Sequence, residues 1–86
     1  MTPPTRMKVA VTSSVRQRAA ELFSPAEAVI VCAELAGADF PHIANNGESV
    51  HFAILHLSHG DLAQFRDHLR VAKTDWRDVL VAARGY

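Results

Sequence analysis

Eight apolar residues between positions 62 and 83 constrain this chain more than any other feature. Leu62, Phe65, Leu69, Ala72, Trp76, Val79, Leu80 and Ala83 fall within roughly a 100° arc of one α-helical wheel. The phase persists across Lys73-Thr74-Asp75, which predicts a single helix over about 62–84, roughly 34 Å long at 1.5 Å per residue. Thr74 could instead cap a new helix, and the alternative is a kink there. A stripe of this length needs cover, and the shorter elements upstream must supply it by packing back on it.

Those elements announce themselves by their caps. Ser14 with Gln17 has capping-box spacing, and Val15, Ala19, Leu22 and Phe23 share a face, giving a first helix over about 14–23. Ser24-Pro25-Ala26-Glu27 places a cap, a first-turn proline and a third-position glutamate before a second helix over about 25–36, which Gly37 stops. Its only polar line is Glu27 with Glu34, so it is expected to be buried on most of its circumference. Ala38 to Gly47 reads as a loop pinned by Phe40 and Ile43, with Phe40-Pro41 disfavouring helix and Asn46-Gly47 favouring a turn. A third helix over about 48–58 sets Val50, Ala53, Ile54 and Leu57 on one side and Phe52 and Leu55 on the other, as befits a central helix. Gly60 can end it in the left-handed conformation and Asp61 can cap the next.

Residues 1–13 read as a flexible or extended arm, with the prolines at Pro3 and Pro4. Met7, Val9 and Val11 alternate as a strand would, but no second strand offers a partner within the chain. Pairing across a dimer is the alternative to a plain extended arm. The expected fold is therefore all-α: a small bundle of about four helices forming one domain over 14–86.

Eighty-six residues, 49% of them hydrophobic, sustain one modest core and no second. Nine basic and nine acidic side chains leave no formal charge, so no global field draws nucleic acid or anionic lipid. The N-terminal residues lack a signal peptide's apolar run. The most apolar segment, Ala26 to Ala36, is too short to cross a bilayer. With Cys32 the single cysteine, no internal disulfide can form, and the expectation is a cytoplasmic protein.

The run from Ala53 to Ala83 resembles a group of small bacterial proteins of uncharacterised function. Their chains share an apolar helix, a Gly-Asp corner, a long helix and an Asp-Trp-Arg-Asp-Val-Leu close. Ala53, Leu55, Leu57, Gly60, Asp61, Leu62, Ala72 and the run Asp75 to Leu80 carry the likeness. His56 stands where such relatives would have lysine. The resemblance implies a bacterial, cytoplasmic, helical protein and supplies no activity.

Several constellations invite chemistry. Arg66, Arg70, Lys73, Arg77 and Arg84 occupy roughly a 60° arc that could track phosphates. Against this, Asp67, Asp75 and Asp78 lie within reach, and Phe65 and Trp76 face the core instead of offering a stacking platform. In Asp75-Trp76-Arg77-Asp78, Trp76 is read as an anchor of the long helix, with a polar rim for a partner as the alternative. His56 and His59, followed by Asp61, have the spacing of a metal half-site, but His42, His51 and His68 supply no second pair. Ser58-His59-Gly60-Asp61 is too compressed for a hydrolase triad, and Cys32 reads as an inert core residue. No catalytic, cofactor or metal residues are assigned. By elimination, the expected role is non-enzymatic association with itself or another protein, through Val71 and Val81 off the core arc together with Arg77 and Asp78. Nucleic-acid backbone binding and a histidine-based metal or enzyme site follow as alternatives.

Overall fold

In the computed structural model, which describes residues 5–84, four helices and one short antiparallel pair of strands follow the chain. Strand β1 (Arg6–Lys8) leads into helices α1 (Ser13–Leu22) and α2 (Pro25–Gly37). Strand β2 (Asp39–Pro41) and a single 3-10 turn (Ala44–Asn46) precede α3 (Gly47–Ser58) and α4 (Leu62–Ala83). The fold is thus mostly α, as the periodicities predict. The first four residues of the expected arm and the last two of the chain lie outside the described residues.

Caps set the boundaries. Ser24 accepts from the Glu27 amide at 3.2 Å and donates to its carboxylate at 3.3 Å, while Asp61 accepts from the Gln64 amide at 2.9 Å. These satisfy amides that a helix start would otherwise leave bare. At α1 the cap is Thr12, not Ser14: its hydroxyl accepts from the Val15 amide at 3.2 Å and donates to Glu48 on α3 at 2.6 Å. The earlier hydroxyl thus joins the start of α1 to α3 as well. Between α3 and α4 two residues take positive φ, His59 (51°) and Gly60 (77°). A Cβ at Gly60 would stand 2.6 Å from the Leu22 carbonyl oxygen, so the corner needs glycine for space as well as for φ.

Helix α3 is central. It buries Val50, His51, Ala53, Ile54, Leu55 and Ser58, and α1 and α4 pack against it. Helix α4 contributes Phe65, Leu69, Ala72 and Val79 to the core, with Trp76 and Leu80 partly buried beside them. Phe23 of the α1–α2 junction meets Phe65 edge to face, ring centroids 6.2 Å apart.

Three further expectations are corrected. The strand-like segment at Met7 does find a partner within the chain: β1 pairs with β2, Met7 opposite Phe40, inside the stretch read as loop. Phe40 is buried and precedes Pro41, a position that prefers extended backbone. Next, α4 is not a single uninterrupted helix. Asp75 (φ −150°, ψ 97°) breaks it, one residue past the suspected Thr74, and its carboxylate caps the second segment by accepting from the Arg77 amide at 3.1 Å. The apolar phase survives because both segments lean on the same core; the wheel cannot register one extended residue. Finally, α2 is not buried on most sides. It buries only Ala28, Val31, Cys32 and Leu35.

Candidate functional site

Three surfaces collect the residues with functional interest. The first is the basic line of α4. Arg66 grips Glu34 of α2, its Nη2 2.9 Å and its Nε 3.2 Å from Oε2, and the carboxylate raises its pKa through that hydrogen bond. Arg70 pairs with Asp67 at 3.4 Å and Arg77 with Asp75 at 3.1 Å. Arg84 caps the end of α4, and the carbonyl of Lys73 accepts from Arg6 at 3.0 Å. The break at Asp75 separates Arg77 and Arg84 from the others, so the five do not form the continuous arc drawn on an unbroken helix. Three of them already face carboxylates, which lessens the counterions a phosphate strand would displace.

The second surface is the corner around that break. Pro41, His42, Thr74, Asp75, Trp76 and Arg77 enclose a cleft of about 400 Å³. The Trp76 indole N–H donates to the Pro41 carbonyl at 2.7 Å, so the tryptophan fastens β2 to the second segment of α4. Trp76 is half-buried, with its anchoring N–H already used. Arg77 turns back on Asp75, and its guanidinium and amide hold the Asp75 carboxyl below the usual carboxylate range. The distinctive string thus builds a capped kink. Asp78 is exposed beside it.

The third surface lies on α2, and the sequence reading missed it. Val29 is 71% and Ile30 40% exposed, flanked along the helix by the exposed Ala26, Ala33 and Ala36. Between α1 and α2 runs a shallow groove of about 370 Å³ lined by Arg16, Ala28, Val29, Cys32, Ala33 and Ala36. The signal was present: a helix apolar on every line but that of Glu27 and Glu34, in a domain this small, cannot be covered on all its apolar sides. Val71 and Val81, the residues singled out from the wheel, are 43% and 48% exposed, on opposite sides of the Asp75 break.

The histidines do not converge. The rings of His56 and His59 lie 6.1 Å apart, but the Asp61 carboxylate serves as the α4 cap. Among the described residues, no three His, Cys, Asp or Glu side chains gather as a metal site would need. Ser58 is buried, donating to the Leu55 carbonyl at 2.6 Å and accepting from the Gly60 amide at 3.3 Å, so its hydroxyl builds the corner. His51 is the exception among the histidines. It is fully buried, its two ring nitrogens have no hydrogen-bond partner, and Phe40 meets it edge-on at 6.2 Å. Burial pushes its pKa down to about 4, against a smaller upward pull from Glu48.

No protein-family model matches the chain, no curated protein is detectably similar in sequence, and no solved structure is detectably similar in fold. None of the described helices is long and apolar enough to cross a membrane. The architecture itself defines the class: a small, mostly α-helical domain of four helices with a two-stranded clasp.

Proposed function

We propose that this chain is a small, non-enzymatic, cytoplasmic association module that works through the outer face of α2, with a second copy as its first partner. One observation carries the reading: Val29 is 71% exposed at the centre of a face with no polar side chain among Ala26, Val29, Ile30, Ala33 and Ala36. Isolated exposed apolar residues are ordinary on a protein surface, whereas a contiguous apolar face beside a groove is the mark of an interface. The protruding Val29 and Ile30 and the shallow alanine-lined groove sit side by side, which suits a self-complementary two-fold contact. The lone cysteine can form no internal disulfide and lends no support to secretion. Pairing through β1 is the weaker route. An antiparallel two-fold contact centred on Met7 would set Arg6 against the Lys8 of its mate.

Sedimentation velocity on the purified chain, over a concentration series reaching about 100 times the micromolar range of modest interfaces, tests this. The expected result is concentration-dependent dimerisation that Val29→Asp abolishes and Val81→Asp leaves intact. A monomer at every concentration, or a dimer indifferent to Val29→Asp, overturns the assignment to α2.

A further inference from the structure

His51 sits where α3 meets the β1–β2 pair, and nothing in the association reading uses it. Its imidazole is fully enclosed, both nitrogens lack partners, and Phe40 of β2 lies against the ring. A neutral imidazole in such a place forgoes its hydrogen bonds; a cationic one forgoes its hydration too, at a far greater cost. The surroundings offer the cation little. On α3 the Glu48 carboxylate lies one turn before His51, where it accepts from Thr12. On β2 the neighbour of Phe40 is Asp39, engaged by Arg6 at 2.9 Å. The 3-10 turn carries no ionisable side chain. Helix α1 turns Val15 and Ala19 inward and α4 turns Phe65, Leu69, Ala72 and Val79 inward, and neither adds a charge that acts on the ring.

We infer that His51 is an acid-sensitive latch: the β1–β2 pair stays closed on α3 while the imidazole is neutral and opens when the ring takes up a proton. The pair is the element able to yield. It is three residues long on each strand and β1 is exposed throughout; besides the buried Phe40 and the packing of β2 on α4, its polar ties to the body are side-chain bonds from Arg6 and Trp76. Opening gives the ring water and uncovers Phe40.

The direction follows from the lowered pKa. The closed state binds fewer protons than the open one, so its advantage is complete above the ordinary value of 6.5 and is lost as pH falls toward about 4. With those two values, the closed-to-open ratio falls about 30-fold between pH 8 and pH 5. Most carboxylates are still ionised at pH 5, which isolates the contribution of the ring.

Amide hydrogen exchange, expressed as protection factors at pH 8 and pH 5, is the test. The expected result is a loss of about 30-fold in protection at β1, β2 and the His42 amide, which stay less protected than the α3 core amides at both pH values, and no such loss in His51→Leu. Equal loss in the leucine variant overturns the latch, as does protection at β1 and β2 equal to that of the α3 core, which would mean that the pair opens only in global unfolding. If His51→Leu does not fold, NMR titration of the wild-type His51 ring decides. A midpoint between about 4 and 6.5 that coincides with Phe40 shifts supports the latch, and a midpoint of 6.5 or an unresponsive Phe40 refutes it.

Discussion

Replacing Gly47 with alanine would test how firmly the segment before α1 is seated on α3. Gly47 opens α3 with helical angles (φ −57°, ψ −50°), so alanine on an isolated helix would gain about 0.4–1 kcal/mol by restricting the unfolded chain. Here the added Cβ would fall 2.9 Å from Cγ2 of Val9 and closer still to Cγ1. Overpacking of that kind costs about 1–3 kcal/mol, so the net expectation is a loss of about 1–2 kcal/mol. In a Val9→Ala background both methyls are gone and only the residue-9 Cβ stays close, at 3.2 Å, so the same substitution becomes roughly neutral. The double-mutant cycle therefore closes with a favourable coupling of about 1–2 kcal/mol, read by urea unfolding or as several degrees in Tm. A Gly47→Ala variant as stable as the parent, with no coupling to Val9, would refute the argument, because Val9 would then not occupy the space above Gly47.

Two further substitutions probe the joints of the fold. Trp76→Phe keeps most of the apolar contact but removes the donor to the Pro41 carbonyl, and a loss of about 1–2 kcal/mol in thermal unfolding is expected; no change would mean the indole bond does not fasten β2. Gly60→Ala places a Cβ against the Leu22 carbonyl at φ 77°, so a loss of about 2 kcal/mol or more should appear in chemical denaturation, and a variant within about 0.5 kcal/mol of the parent would contradict the geometry of the corner.

Much of the architecture was local enough to be legible. The Ser24 and Asp61 caps bond amides three residues away, so residue order alone determines them. The same holds for the eight-residue stripe, which follows from helical period and marks the face of α4 that meets the core. Tertiary structure decided the rest. The β1–β2 pair joins residues about 33 apart; alternation marked the segment at Met7, but β2, three residues long, was too short to show any. The break at Asp75 lies beside a bond only the fold supplies, from Trp76 to a carbonyl of β2, and the capping Thr12 is joined to Glu48 of α3. Which apolar face of α2 stays bare, and that His51 alone of five histidines is wholly enclosed, depend on how few neighbours a chain of 86 residues can supply. Sequence pattern states which faces are apolar; only packing assigns the limited cover among them.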